Sequence, residues 1–207
     1  MWNSSRITRI TKPARTTFLL VLTLALIACG GLTRSDKPAT STWLLKPYST
    51  GSTAQAGEAI TRVAVAVSVS PGLDTDWILT LSADAELNHY TGVRWVDNLP
   101  ELFTSLTERS LTSSGRFDVT SGGSGDGHED CVLQLEVQAF YADIGVSEKT
   151  TGVQLAIAGQ YDCESSEPVA IHLGSTVPAS AQDIASIVSA FQTATDHVMH
   201  DLLTKIP

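Results

Sequence analysis

The residues best suited to chemistry in this chain are its three cysteines, Cys29, Cys131 and Cys163. A thiol can act as a nucleophile, bind a soft metal ion or pair in a disulfide. Cys29 follows an apolar segment near the start of the chain, whereas the other two lie in alternating polar and apolar segments of its second half. The segment around each cysteine therefore indicates which chemistry is open to it.

The segment before Cys29 has the layout of a secretory signal. The apolar run begins at Phe18 and ends in Leu26-Ile27-Ala28, and the residues before it include four basic side chains and no acid. These basic residues are Arg6, Arg9, Lys12 and Arg15. A basic start, an apolar stretch of about 7–15 residues and a small residue before the cleavage point are typical of a signal peptide. A spanning helix needs about 20 apolar residues, so an uncleaved anchor is the weaker alternative and we predict a signal peptide over residues 1–28.

The tetrad Leu26-Ile27-Ala28-Cys29 resembles the bacterial lipobox. In proteins with a lipobox the cysteine thiol is acylated and becomes the new N-terminus, so the resemblance implies a lipoprotein that carries acyl chains such as palmitate on Cys29. Two lipid signals give stable membrane anchoring. Gly30 stands where an aspartate favours retention in the inner membrane. By that resemblance we expect the protein at the periplasmic face of the outer membrane.

Composition limits the partners of the mature chain. Cleavage before Cys29 leaves 179 residues with 9 basic and 22 acidic side chains, a net charge of −13. Nucleic-acid binding needs clustered Lys and Arg, so the composition argues against a nucleic-acid partner. Residues 29–42 are small and polar, which predicts a flexible tether, and residues 43–207 are long enough for a single domain with its own core.

Cys131 begins and Cys163 ends two segments, Cys131–Tyr141 and Val153–Cys163, that have the period-two pattern of half-buried strands. A hairpin whose turn is centred on Ser147 places the two cysteines opposite each other and every apolar residue on the same face. The expected pairs are Leu135–Gly159, Val137–Ile157, Ala139–Leu155 and Tyr141–Val153. Opposed Cα atoms lie about 4.5–5.5 Å apart, which suits a disulfide. Two buried free thiols are the alternative, and a metal site with residues 128–130 is disfavoured because consecutive loop residues converge poorly on one ion.

The remaining pattern predicts an α+β domain, an antiparallel-rich mixed sheet packed by two helices, one central and one long and C-terminal. Val63–Ser70 is apolar on nearly both faces, which predicts a central strand covered on two sides, and Pro71-Gly72 predicts a turn after it. We expect further strands at Trp77–Leu81, Phe117–Thr120 and Val169–Leu173, and a Gly/Ser-rich loop over Ser121–Gly127. Helical spacing of apolar residues predicts helices from Asp97 or Asn98 to Gly115 and from Ala181 to Leu202.

No catalytic motif accompanies these elements. The sequence has no Gly-x-Ser-x-Gly, His-Glu-x-x-His or phosphate-binding glycine loop. His197 and His200 have a spacing that can bind metal, but no third ligand lies nearby in sequence, and Asp74 and Asp76 are typical of a solvated turn. We therefore predict a binding or assembly protein rather than an enzyme, with no cofactor and no metal.

Several short motifs, taken in order, resemble the ABC-type transport auxiliary lipoproteins, the paraquat-inducible lipoprotein group. They are a valine-rich strand that ends in Pro71-Gly72-Leu73, the strand Trp77-Ile78-Leu79, and Arg94-Trp95 before the first helix. Trp43–Pro47 resembles the first strand of the family, and the likeness spans most of residues 43–203. The chain departs from the family after Arg94-Trp95, where Val96-Asp97-Asn98-Leu99-Pro100 replaces Ala-Glu-Pro-Leu. We therefore expect the start of the helix to be built differently.

The resemblance implies an outer-membrane component of an intermembrane phospholipid transport system. Its partners would be an inner-membrane ABC transporter or permease and a periplasmic lipid-conducting protein of the mammalian-cell-entry type, and its subunits could assemble as a homo-oligomeric ring. The possible docking residues are Pro71, Gly72, Leu73, Arg94 and Trp95. Their alternative role is structural, because Pro-Gly shapes turns and an Arg-Trp pair can simply pack. The alternative function is an outer-membrane assembly or envelope-structural lipoprotein without lipid cargo.

Overall fold

The computed structural model describes residues 40–49, 60–121, 130–164 and 166–207, which form one mixed sheet with two helices on one face. The strands are β1 (Ser41–Trp43), β2 (Thr61–Val69), β3 (Trp77–Ser82), β4 (Leu87–Trp95), β5 (Phe117–Ser121), β6 (Cys131–Ile144), β7 (Thr150–Cys163) and β8 (Val169–Pro178); the helices are α1 (Leu99–Ser113) and α2 (Ile184–Lys205). The α+β prediction is confirmed. The predicted signal peptide, Cys29, Gly30, the tether up to residue 39 and most of the Gly/Ser-rich loop lie outside the described residues.

The sheet divides into two branches along β6. Antiparallel β7 occupies one edge of β6 over its whole length and pairs in turn with β8. The other edge is shared, because β2 runs parallel to Cys131–Val137 and β3 runs parallel to Ala142–Ile144. β5 extends the first branch beside β2, while β4 and then β1 extend the second beside β3. Four of these seven pairings are parallel, although the longest two are antiparallel.

The predicted β6–β7 register holds at both ends of the hairpin and fails in the middle. Cys131 lies opposite Cys163, and the predicted pairs Leu135–Gly159 and Val137–Ile157 are confirmed. An extra residue in β6 between Val137 and Ala139 then shifts the register. The expected pairs Ala139–Leu155 and Tyr141–Val153 are therefore wrong, since the structure pairs Ala139 with Ala156, Tyr141 with Gln154, Phe140 with Leu155 and Ala142 with Val153.

A second irregularity restores the register before the turn. An extra residue in β7, between Thr150 and Gly152, leaves Ile144 opposite Thr150, as a turn centred on Ser147 requires. Because a β-bulge exchanges the two faces of a strand, the first bulge turns Phe140 into the core, where it is 1% exposed. The bulge lies where β2 leaves β6 and before β3 joins it.

β2 is central, as predicted, but only one of its faces is covered. Val63 and Val65 are buried, whereas Ala66 and Ser68 are exposed on the helix-free face. The prediction of two covered faces is therefore wrong. Alanine and serine are small enough for either environment, so their alternation with valine was the more informative pattern.

The predicted start of α1 after Asn98 is confirmed, whereas α2 begins three residues later than predicted. α1 follows Asn98, whose side chain makes no capping hydrogen bond, and the Leu99 N–H donates to Thr75 O at 3.2 Å. α2 begins at Ile184 rather than Ala181, because the Asp183 side chain caps it by accepting the Ser186 N–H at 2.9 Å. The apolar faces of the two helices cover the sheet and enclose an aromatic cluster of Trp95, Phe103, Phe140 and Phe191.

Candidate docking site

Pro71 and Gly72 form an exposed turn where β2 ends. The Leu73 N–H donates to Ser70 O at 3.1 Å, and Gly72 has a φ of 90°. A proline followed by a residue with positive φ is typical of a type II turn, and a side chain at the second position would strain the backbone. The Ser70 hydroxyl donates to Glu136 Oε1 at 2.8 Å, which ties the start of the turn to β6. The turn therefore presents Pro71 and Gly72 to solvent in a defined conformation.

The segment after the turn is fastened to the β4–α1 connection. Leu73 is 5% exposed and packs into the core. Thr75 accepts the Trp77 N–H through its hydroxyl at 3.2 Å, besides accepting the Leu99 N–H through its carbonyl. The carbonyl of Asp76 accepts the Trp95 N–H at 2.7 Å. These bonds predict that the loop moves with the sheet rather than independently of it.

Arg94 lies at the centre of a layered group of side chains, which we call the Trp77 stack: Asp76, Trp77, His89 and Arg94. Arg94 Nη1 contacts Asp76 Oδ2 at 2.9 Å, and the guanidinium carbon lies 4.0 Å from the centre of the Trp77 ring. The His89 ring lies 4.3 Å from the Trp77 ring. A guanidinium that is both paired and stacked loses little further freedom on binding, so the stack is a preorganised surface for a polar or aromatic partner group.

Trp95 points to the other side of the sheet and lies in the core. It is 2% exposed, and its ring lies 5.4 Å from that of Phe140 and 5.3 Å from that of Phe191. Burial assigns Trp95 and Leu73 a structural role in the described domain. Of the five possible docking residues, Pro71 and Gly72 are exposed and Arg94 is half-buried, so docking remains a prediction for these three.

The structure adds three residues to this site that the sequence prediction did not include. Asp76, Trp77 and His89 join Arg94 although they are up to 18 positions away from it in the chain. The Trp77 strand was predicted, but the strand β4 that pairs with it was not. The polar and apolar residues of β4 do not alternate regularly, so its sequence did not indicate a strand. In the structure, extra residues of β4 interrupt its pairing with β3 between Trp77 and Leu79.

The two cysteines of the β6–β7 hairpin form a disulfide at the opposite end of the sheet. Cys131 and Cys163 have Cα atoms 4.1 Å apart. Beside them, the backbone N–H and the guanidinium of Arg62 donate to Asp130, at 3.2 Å and 3.4 Å. These hydrogen bonds hold the pKa of Asp130 below its usual value.

The two histidines considered as metal ligands have different hydrogen-bond partners. His200 Nδ1 lies 3.0 Å from the Tyr48 hydroxyl, whereas His197 Nδ1 lies 3.1 Å from the Ser175 hydroxyl. Within the described ranges, no three His, Cys, Asp or Glu side chains are placed to hold a metal ion. Nor does either helix of the described part combine the length and apolar character needed to cross a membrane.

Comparison with known proteins identifies relatives of this fold. A Xanthomonas campestris protein assigned to family DUF330 has a crystal structure that superposes with a TM-score of 0.65, at 17% identity, covering 79% of this chain and 92% of that chain. An uncharacterized protein of known structure also superposes with a TM-score of 0.65, at 12% identity, covering 82% of this chain and 99% of that chain. At such identities the likeness concerns the fold alone. No curated protein matches the sequence.

The family follows from sequence rather than from superposition. The sequence model of the ABC-type transport auxiliary lipoprotein component matches residues 44–202, which include every described strand except β1 and nearly all of α2. The match contains the Pro71-Gly72 turn, the Trp77 stack and the buried Trp95. On this evidence the chain belongs to the ABC-type transport auxiliary lipoprotein family.

Proposed function

We propose that this protein is the outer-membrane lipoprotein of an intermembrane phospholipid transport system. In this role, acyl chains on Cys29 anchor it to the periplasmic face of the outer membrane. The folded domain docks a periplasmic lipid conduit of the mammalian-cell-entry type, which works with an inner-membrane ABC transporter or permease. The proposal assigns the protein a binding role without enzymatic activity, and a homo-oligomeric ring is one way in which it could surround the conduit.

The observation that carries the proposal is the family match over residues 44–202, combined with the rigid, exposed Pro71–Gly72 turn. A turn fixed by backbone hydrogen bonds costs little conformational entropy when a partner covers it. The neighbouring Trp77 stack offers aromatic and guanidinium groups, which are enriched in the energetic centres of protein interfaces. We therefore assign the turn and the stack to the contact with the conduit protein.

Crosslinking in cells tests this assignment. A photoreactive residue at position 71 should crosslink to a periplasmic mammalian-cell-entry-type protein, while the same residue at Thr112, exposed on α1, should not. Deletion of the gene should also raise the phospholipid content of the outer leaflet of the outer membrane. Crosslinks from position 71 to outer-membrane assembly proteins, without a change in lipid asymmetry, would support the envelope-structural alternative instead.

A further inference from the structure

The domain has two distinct ends, which are set by the long β6–β7 hairpin. The hairpin end holds the β6–β7 turn, residues 145–149, and beside it the β3–β4 turn, because Ser82 at the end of β3 pairs with Ile144. The disulfide end holds Cys131, Cys163 and the start of β2, because Val63 pairs with Cys131. β6 spans thirteen residue steps between the two ends, about 43 Å at the usual strand rise.

The N-terminal part of the chain joins the sheet near the hairpin end. Ser41 pairs with Val93, the next residue Arg94 pairs with Trp77, and Thr80 pairs with Ala142. Followed through these registers, Ser41 lies about four residue steps, roughly 13 Å, from the level of Ile144, and about nine steps, roughly 30 Å, from the level of Cys131. β1 then runs towards the disulfide end, so the chain before it arrives from the hairpin side.

The tether is short compared with the domain. Eleven peptide steps separate Cys29 from Thr40, a reach of about 40 Å when fully extended and about 20 Å for a flexible coil. The reach of the coil is therefore about half of the roughly 43 Å length of β6. A lipid on Cys29 would therefore keep the hairpin end close to the bilayer and the disulfide end away from it.

Apolar side chains are exposed at the two turns of the hairpin end. Val146 is 94% exposed in the β6–β7 turn, the highest value among the large apolar residues of the described ranges, and Leu87 is 40% exposed beside the β3–β4 turn. The same turns carry the acids Asp84, Glu86 and Glu148 and one base, Lys149. A surface of this charge would be repelled by anionic lipid, so its contact with a bilayer would depend on apolar burial rather than on charge.

We propose that the hairpin end rests on the phospholipid surface to which the protein is anchored, with Val146 and Leu87 in the headgroup region. This inference rests on the proposed lipid anchoring. It orients the domain, because the disulfide end then projects into the periplasm, while the Pro71–Gly72 turn, which lies beside Leu87, stays near the bilayer. The contact favours zwitterionic over anionic lipid and is insensitive to salt.

Thiol-specific labelling of the acylated full chain tests the orientation. Acylation occupies Cys29 and the disulfide occupies Cys131 and Cys163, so a cysteine introduced by Val146→Cys or Leu87→Cys is the one site for an environment-sensitive dye. Ile60→Cys is the matched control, because Ile60 is a large apolar residue that is 62% exposed at the disulfide end. In vesicles of phosphatidylethanolamine and phosphatidylcholine, we expect a blue shift and quenching by brominated lipid at positions 146 and 87, and neither at position 60.

The outcomes separate this inference from the function on which it rests. Labels at positions 146 and 87 that stay as accessible to water as the label at position 60, on chains that float with the vesicles, would overturn the orientation alone. Chains that do not float would overturn the anchoring and the orientation together. Protection of positions 146 and 87 only after envelope protein is added would assign the hairpin end to a protein partner and would also overturn the inference.

Discussion

Cys131, the first residue of β6, lies directly opposite Cys163, the last residue of β7. Their Cα atoms are 4.1 Å apart, and the disulfide between them closes this end of the hairpin. Cys131 also pairs with Val63 at the start of the covered face of β2. The disulfide therefore fixes the antiparallel hairpin at the point where the parallel branch begins. The strand that this bridge holds is the one on which β2 pairs, and the paired residues Val63 and Cys131 are 68 positions apart in the chain.

Removal of the disulfide should lower stability without changing the fold. The cysteines are 32 positions apart, and closing a loop of that size is worth about 3–4 kcal/mol in the chain-entropy model. Because the two strands are already paired, we expect Cys131→Ser with Cys163→Ser to cost about 2–4 kcal/mol in urea unfolding. Reduced wild-type protein is the control and should match the variant. Alkylation of both thiols without reductant, measured by mass spectrometry, would contradict the bridge.

Trp95 and Pro71 should separate stability from docking. Trp95→Ala removes a buried ring from the aromatic cluster, and a truncation of this kind costs about 3–5 kcal/mol. Pro71→Ala changes an exposed turn position and should cost less than about 1 kcal/mol, yet weaken capture of the conduit protein. Urea unfolding and co-purification from envelopes measure the two effects. Full capture by a folded Pro71→Asp variant would remove the turn from the interface.

Arg94 should depend on its planar guanidinium as well as on its charge. Arg94→Lys keeps the charge but loses the stacking on Trp77, whereas Arg94→Met keeps much of the aliphatic chain but loses the ion pair with Asp76. Because both partners are partly exposed, we expect each change to cost about 0.5–1.5 kcal/mol. The intrinsic tryptophan fluorescence, to which Trp77 contributes, should shift in both variants. Unchanged emission in Arg94→Lys would argue against stacking in solution.

The Asp183 cap of α2 should make stability depend on acid pH. Its carboxylate accepts hydrogen bonds from the Ser186 N–H and hydroxyl, which lower the pKa of Asp183 below the ordinary value of 3.8. A lowered pKa stabilises the folded state above the unfolded-state pKa, and this contribution is lost as the pH falls below it towards the folded-state pKa. Asp183→Asn keeps a capping group that does not titrate. The stability difference between wild type and this variant should therefore shrink between about pH 5 and pH 2, as measured by urea unfolding at each pH.

Cys29 should determine location and leave the fold unchanged. Cys29→Ala removes the thiol that would be acylated. Because stable anchoring depends on the acyl chains that the cysteine would carry, the variant should leave the membrane fraction. Its unfolding midpoint in urea should equal that of the wild type, because every described strand and helix begins after residue 40. Fractionation of the envelope and urea unfolding measure the two effects. A misfolded variant would contradict the separation of anchor and domain.

Local patterns were sufficient to predict much of this architecture. The period-two alternation around the cysteines located β6 and β7, and the pairing of Cys131 with Cys163 followed from matching their apolar faces. The 3.6-residue spacing of apolar residues located both helices, within three residues at the start of α2. Each of these features depends on residues that are neighbours in sequence or related by one short turn, which is why they could be predicted.

The site depended on contacts that no local pattern encodes. Arg94 and Asp76 meet because β4 pairs with β3 around an interrupted register, and Trp95 is buried because α2 brings Phe191 against it. No local sequence pattern indicates the extra residue after Val137. It turns Phe140 into the core at the point where the two branches of the sheet separate. Sequence periodicity therefore predicted both helices and most of the strands, including the two that the disulfide joins, and short motifs indicated the family. Only the tertiary structure decided which family residues are exposed and which are core, because burial depends on the packing of segments that are distant in the chain.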